Sequence, residues 1–260
     1  MLNLNEIYLG DCLELMKNIP DKSIDMILCD LPYGTTQCKW DVIIPFEYLW
    51  DQYKRIIKDE GTIVLTSQQP FATDLINSAR DLFRYEIIWE KTMKMGFFNA
   101  NKMPLRAHEN ILIFYKSLPT YNPIKSQIKE KYRKRKREKD RYTGYSSIGE
   151  CNDFYENKGE RFPTSIIKFS NWNGALFGDN TKATKHPTQK PVALFEYLIK
   201  TYTNEGDLVL DNCIGSGTTA IACINTGRNF IGIEKDFEYY SKGKERINKS
   251  KQQERLLNWF

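Results

Sequence analysis

Ile24-Asp25-Met26-Ile27-Leu28-Cys29-Asp30-Leu31-Pro32-Tyr33 is the stretch that decides how this chain folds. A short apolar, β-prone run leads directly into an acid, a proline and an aromatic. That order places the three groups at the carboxyl end of a buried strand, where open α/β sheets keep their ligands. Working outward, strand-like runs at 24–29, 62–66, 85–89 and 110–115 alternate with helical patterns at 45–58 and 70–81. Such alternation is the mark of an α/β domain. From 116 to about 185 the periodicity fades, and Pro119, Pro123, Gly144, Gly149, Gly159, Pro163, Gly174 and Gly178 punctuate a polar, aromatic-rich segment. Regular structure resumes with a helix at 191–203, where Pro191 suits the first turn.

An Asp-x-Pro-Tyr sequence can be no more than a turn closing a strand. It also suits one kind of substrate well. The exocyclic amine of a nucleobase has its lone pair drawn into the ring, so it is a poor nucleophile until acceptors hold its two hydrogens. Asp30 offers one acceptor, and the carbonyl of Leu31 or Pro32 offers the other. Pro32 has no N–H to compete and fixes its own φ, which helps aim those carbonyls. Tyr33 can stack on the face of the base.

A second informative stretch lies far along the chain, at 207–220, which includes Asp211-Asn212-Cys213-Ile214-Gly215-Ser216-Gly217-Thr218-Thr219. It reads as a strand, a glycine-rich turn and a helix start, with small residues that admit close backbone approach to a ligand. About twenty residues on, Asn229-Phe230-Ile231-Gly232-Ile233-Glu234 reads as a strand ending in an acid placed to grip ribose hydroxyls. A dinucleotide-binding domain needs several more strands after that acid. Only 26 residues follow Glu234, and 236–249 looks like a single helix. The remaining strands must come from earlier in the chain, so the sheet is permuted, with the base-handling strand ahead of the cofactor strand. A nicotinamide oxidoreductase is weakened by the same argument.

Six motifs in this order resemble the amino-group DNA methyltransferases of the permuted, β-type arrangement. They are Asp30-Leu31-Pro32-Tyr33; the following Gly34-Thr35-Thr36-Gln37-Cys38-Lys39-Trp40-Asp41; Trp89-Glu90-Lys91; His108-Glu109-Asn110-Ile111; His186-Pro187-Thr188-Gln189-Lys190-Pro191; and the Gly215-Ser216-Gly217-Thr218-Thr219 loop. The resemblance runs from about residue 7 to residue 248. It implies a Rossmann-like methyltransferase fold with a circularly permuted, mostly parallel seven-stranded sheet and an irregular target-recognition insert. S-adenosylmethionine is the implied cofactor and double-stranded DNA the implied substrate. The resemblance assigns Asp30, Leu31, Pro32 and Tyr33 to catalysis, and Asp11, Lys190, Asp211, Asn212, Cys213, Gly215, Ser216, Gly217, Thr218 and Glu234 to the cofactor. For Asp11 a helix N-cap is the rival reading. Lys190 belongs to the segment lining the methionine end, 67–71 borders the pocket, and His108 and Glu109 buttress the target-base side. His186 reads as structural, because this chemistry needs no imidazole base.

Two departures stand out. The family's loop often has an aromatic where this chain has Cys213, which bears on cofactor affinity, and Leu31 replaces a frequent proline while keeping its carbonyl. The implied reaction is in-line transfer of the sulfonium methyl to the amine of a flipped base, without a cysteine nucleophile. Motifs that begin with Asp occur mostly in adenine-N6 enzymes, which favours adenine over cytosine-N4. RNA and protein-glutamine methyltransferases generally place the glycine loop first, so chain order favours DNA. A nucleic-acid-binding protein that has lost catalysis is the remaining alternative, and the intact motif residues speak against it.

Composition is that of an ordinary folded domain, with 41% hydrophobic residues and a net charge of +5. No apolar run approaches the roughly 20 residues of a membrane span, and the amino terminus lacks a signal-peptide pattern. The expectation is a cytoplasmic protein without membrane contact. Cys12, Cys29, Cys38, Cys151, Cys213 and Cys223 show neither Cys-x-x-Cys pairs nor zinc-like spacing, so they read as reduced thiols with no metal. Between 125 and 145 there are ten Lys or Arg against three acids, which leaves the rest of the chain slightly acidic. Basic runs are often only solvated surface. Here Lys131, Arg133, Lys134, Arg135, Lys136, Arg137, Lys139 and Arg141 are interleaved with tyrosines, and they are assigned to DNA phosphates. The expected organisation is a catalytic half at 1–115, a basic target-recognition insert at 116–185 and a cofactor half at 186–260. A homodimer and a cognate restriction endonuclease are expected partners by resemblance.

Overall fold

The structure is a computed structural model that describes residues 2–36, 38, 41–127, 159–171 and 189–257, with side chains to 252. Two compact units divide it, one formed by 1–122 with 165–260 and the other by 123–164. The smaller unit contributes a two-stranded ladder, β6 (Ser126–Gln127) with β7 (Glu160–Arg161), closed by a Lys125–Glu160 ion pair of 2.9 Å.

The larger unit is built on an eight-stranded sheet in the order β1-β10-β9-β2-β3-β5-β4-β8. Its strands are β1 (Glu6–Leu9), β2 (Ile24–Asp30), β3 (Ile57–Ser67), β4 (Phe83–Met95), β5 (Arg106–Phe114), β8 (Ile166–Phe169), β9 (Leu208–Asp211) and β10 (Asn229–Glu234). All neighbours run parallel except β5, which is antiparallel to both β3 and β4. The sheet is therefore mostly parallel, as expected, but it has eight strands where seven were expected. The extra one, β8, comes from the segment whose sequence shows no periodicity. It is only four residues long, and its pairing with β4 rather than an internal pattern makes it a strand.

Strand β2 sits in the middle and is buried along most of its length, as suits a parallel strand covered on both faces. Met26 and Leu28 join one core, under α4 (Val192–Tyr202), α5 (Thr218–Thr226) and α6 (Phe237–Leu257). Ile27 and Cys29 join the other, under α1 (Cys12–Met16), α2 (Phe46–Ile56) and α3 (Phe71–Ser78). Helix α2 fits this role because Leu49, Trp50, Tyr53 and Ile56 recur at helical spacing and form its buried face. Among the described residues no helix is long and apolar enough to cross a membrane.

Connections leave β2 towards β3 on one side, while its other neighbour, β9, leads on to β10. This reversal makes a crevice at the carboxyl ends of β2 and β9, the place where such sheets bind ligands. The chain reaches the two ends of that crevice some 180 residues apart, at Asp30 and at Asp211.

Candidate active site

The crevice is a cavity of about 960 Å³, at the upper end of the usual range for small-molecule sites. Asp30 to Tyr33 follow β2 into its wall; Gln68 comes from the end of β3, Lys91 from β4 and Glu109 from β5. Lys190 precedes α4, and Glu234 closes β10.

At one end the construction is charge on charge. Asp30 Oδ1 accepts from the Tyr33 hydroxyl at 2.7 Å and from the Thr66 hydroxyl, while Oδ2 accepts from Lys190 Nζ at 2.6 Å. A carboxylate offers about four acceptor sites. Three are taken, and the side chain keeps 27% exposure, so one acceptor site remains for an incoming donor. Lys190 Nζ also lies 3.4 Å from Glu109 Oε2, and Glu109 Oε1 accepts from Lys91 Nζ and, at 3.0 Å, from Gln68 Nε2. The signs thus alternate along Asp30, Lys190, Glu109 and Lys91, and the last three side chains are less than 10% exposed. Burial alone would depress the Lys190 ammonium, but the Asp30 and Glu109 carboxylates outweigh it and hold the group above its ordinary value. Burial, with the same two carboxylates, pushes the Tyr33 phenol well up, so it stays a donor. Its ring packs on Phe71 with centroids 5.0 Å apart, and Lys190 Nζ stands 5.7 Å from the ring centre.

The segment after Tyr33 is pinned by Asp41, which accepts from the amides of Gly34 at 2.8 Å, Thr35 at 2.9 Å and Thr36 at 2.6 Å. Burial works to raise this carboxyl, and the Thr36 hydroxyl with those amides overcomes it and holds it low. Glycine is required at 34, where φ is 67° and a Cβ would meet Ile43 Cγ1 at 3.0 Å.

The other end is built from backbone. Ile214 N donates to Ile233 O at 2.9 Å, so the glycine loop rides on β10. Glu234 receives Gly215 N on Oε2 and Asp236 N on Oε1, both at 2.8 Å, and burial pushes its carboxyl up. Each oxygen keeps a further acceptor site. Asp211 receives Cys213 N at 3.1 Å and the Thr219 hydroxyl, yet burial still pushes it up to about 7. Gly217 starts α5 in the left-handed region, at φ 82°. Gly243 of α6 lies so near that a Cβ there would meet Gly215 O at 3.1 Å. Arg246 of α6 donates to Ser216 O at 3.1 Å, and the Ser216 hydroxyl donates to Gln189 at 3.1 Å.

The residues assigned from sequence are largely gathered here. Asp11, Asp30, Leu31, Pro32, Tyr33, Lys190, Asp211, Asn212, Cys213, Gly215, Ser216, Thr218 and Glu234 all line the cavity, while Gly217 supports it from the start of α5. Asp11 satisfies both readings at once, lining the wall and capping α1 through Leu13 N at 3.0 Å. Lys190 lines the cavity with its ammonium committed to Asp30 and Glu109. Asn212 accepts from Tyr53 at 2.5 Å, and the Cys213 thiol lies beside those of Cys12 and Cys29. Of the buttressing pair, Glu109 is buried and His108 is exposed and outside the cavity wall. The basic residues Lys131, Arg133, Lys134, Arg135, Lys136, Arg137, Lys139 and Arg141 fall outside the described residues, as do His186, Gln37, Lys39 and Trp40. The sequence reading gave no role to Thr66, Lys91 or Asp41. Lys91 and Asp41 stood inside quoted motifs, but only the fold shows which carboxylate or amide each one meets.

A family profile described as DNA methylase matches residues 24–245. The type II methyltransferase M1.MboII of Moraxella bovis is 29% identical over 258 residues, 93% of this chain and 96% of that protein. M.HpaI of Haemophilus parainfluenzae, also a type II methyltransferase, is 28% identical over 254 residues, 92% of this chain and 73% of that one. Among solved structures, the M1.HpyAVI complex with S-adenosylmethionine superposes with a TM-score of 0.60 at 27% identity, covering 93% of this chain and 98% of that one. The cytosine-N4-specific PvuII methyltransferase gives 0.62 at 19% identity, covering 94% and 90%, and shows the fold alone.

The residues present fit that cofactor. Glu234 ends β10 with acceptor sites to spare for hydroxyls, and Gly215 and Ser216 of the glycine loop line the cavity beside it. The cavity is large enough for a nucleoside cofactor beside a base. With its family profile, its relatives and its site in agreement, this chain belongs to the DNA methylase family, the S-adenosylmethionine-dependent methyltransferases of DNA amino groups.

Proposed function

We propose that this enzyme is a permuted, β-type methyltransferase that modifies the exocyclic N6 amine of an adenine flipped out of double-stranded DNA. The observation that carries the reading is that Asp30 and the glycine loop, distant in sequence, open on one cavity. When bound, S-adenosylmethionine supplies an electrophilic methyl on a cationic sulfonium. The protein's part is to hold the amine against it, since fixing reacting atoms in line supplies much of the rate. Asp30 takes one amine hydrogen on its remaining acceptor site, and a carbonyl of Leu31 or Pro32 takes the other. Asp30 also faces the positive charge that develops on the nitrogen. Lys190, paired with Glu109, holds the Asp30 carboxylate in its orientation, while Tyr33 lends its ring face to the base. Glu234 and the backbone of 211–218 serve the cofactor.

The adenine preference rests on Asp at the first motif position. Enzymatic digestion of DNA treated with the protein and S-adenosylmethionine, followed by nucleoside separation, should give N6-methyladenine. N4-methylcytosine in its place would move the reading to cytosine. In this proposal the basic run at 131–141 contacts DNA phosphates, within a recognition insert at 116–185 flanked by the halves 1–115 and 186–260. A cytoplasmic homodimer working beside a cognate endonuclease completes it.

A further inference from the structure

The tip of the turn joining β4 to β5 lies outside the cavity wall, yet it is a built feature. Its last strand pairing is Met95 with Arg106, and Gly96, at φ 96°, leads into a short helical turn at Phe97–Asn99. Four backbone hydrogen bonds hold it: Asn99 N to Gly96 O at 2.9 Å, Ala100 N to Phe97 O at 3.0 Å, Lys102 N to Asn99 O at 2.9 Å and Met103 N to Asn99 O at 3.0 Å. On this ordered tip Phe97 is 71% exposed and Phe98 106%, with Met95 and Met103 about half exposed. A single exposed apolar side chain is ordinary, but four within nine residues of a structured tip form a patch that wants a partner.

The surroundings say which partner. Between 92 and 106 the chain carries Lys94, Lys102 and Arg106 and no acid, so an anionic polymer suits it better than another protein's apolar face. The base of the same turn forms the cavity rim, since Met93, Met95 and Arg106 line the wall. Phe97 follows Met95 by two residues, at most roughly 7 Å of chain. An apolar wedge flanked by cations, at the mouth of a pocket that takes a flipped base, matches a duplex from which that base has just left. The gap it leaves exposes the faces of its neighbours, and apolar side chains are the groups that fill such unstacked steps.

We propose that Phe97 and Phe98 enter the DNA duplex beside the target nucleotide and hold the gap open while the base occupies the cavity, with Lys94 and Lys102 against the flanking phosphates. The proposal rests on the reading of this enzyme as acting on a base extruded from duplex DNA. The test uses the double variant Phe97→Ala/Phe98→Ala, whose exposed side chains leave no void when removed. Its substrates are two duplexes bearing the sequence the wild-type enzyme is found to methylate in genomic DNA. In one the target base is paired; in the other it faces an abasic site and is already free to leave the stack. The variant should methylate the paired duplex about tenfold more slowly than wild type or worse, and the abasic duplex within about twofold, with cofactor affinity unchanged. An equal loss on both duplexes, or no loss on either, overturns the wedge. Wild-type protein that methylates neither duplex sinks the duplex-DNA reading and the wedge with it.

Discussion

The two ends of the cavity are made in opposite ways. At the Asp30 end, proposed above for catalysis, side chains from β2, β4, β5 and the segment before α4 meet in an alternating chain of charges, Asp30, Lys190, Glu109 and Lys91. At the cofactor end, one contiguous loop and one strand end arrange backbone groups, with Glu234 and Asp211 holding amides in place. A buried charge network depends on every member, because removing one leaves another uncompensated in a poorly solvating interior. A backbone cradle spreads its function over many groups and tolerates side-chain change better, provided the glycines stay. Substitutions at the catalytic end should therefore be costly for turnover and stability, and those at the cofactor end should act mainly on affinity.

The largest effect is expected at Asp30. Replacement by alanine removes the acceptor for the target amine and orphans Lys190, so turnover should fall by about a thousandfold or more. The S-adenosylmethionine dissociation constant, measured by calorimetric titration, should stay near wild type. A variant that still turns over normally would place the chemistry elsewhere. Glu109→Gln comes next, since it leaves Lys91 and Lys190 facing each other with only Asp30 to compensate. Breaking a buried pair in this way costs about 3 to 5 kcal/mol. That loss should appear as a lower melting temperature together with slower turnover. An unchanged melting curve would mean that water already screens the pair.

On the cofactor side, Glu234→Ala should raise the dissociation constant about tenfold, the effect of losing one charge-assisted hydrogen bond worth roughly 1.5 to 3 kcal/mol. Turnover at saturating cofactor should change far less, and a collapse of the maximal rate would contradict the division of labour between the two ends. The smallest effect concerns pH. Burial raises the Asp211 carboxyl to about 7, well above the ordinary carboxylate range. The folded protein therefore holds a proton there that the unfolded chain releases, and this group's contribution to stability declines as pH rises from about 4 through 7. A cationic sulfonium entering the same cavity favours the ionised form. Affinity for S-adenosylmethionine should thus rise by about three- to tenfold between pH 6 and pH 8, a shift of about half to one pKa unit. The slope should vanish in Asp211→Asn, and a flat wild-type profile would show that Asp211 does not sense the cofactor's charge.

Local pattern was enough to find β2, α2, β9 and β10, because each combines a clear apolar period with a marked end, such as Asp30, Pro45, Asp211 or Glu234. It was not enough for β1 and β8. Each is four residues long, and each is a strand only because an edge of the sheet accepts its backbone. Strand β4 runs 13 residues where the sequence pattern supported only five. Beyond Lys91 its extension is held by pairing with β5 and by neighbours such as Asn171, which donates to Met93 O at 3.0 Å.

By itself the sequence determined the fold class, the chain order of the two motifs and the identity of the groups at each strand end. Those are carried by residues close together in the chain, where period, proline, glycine and acid act through local backbone geometry. Only the tertiary structure decided that Lys190 serves Asp30, that Glu109 and Lys91 complete the charge chain, that Thr66 shares the Asp30 carboxylate, and that Asp41 pins the segment after Tyr33. Most of these contacts join residues tens of positions apart, and even Asp41 reaches back across a turn. Which cation meets which carboxylate depends on strand register and on how far each side chain reaches from its own β-sheet neighbour, and those distances exist only once the sheet has closed around the crevice.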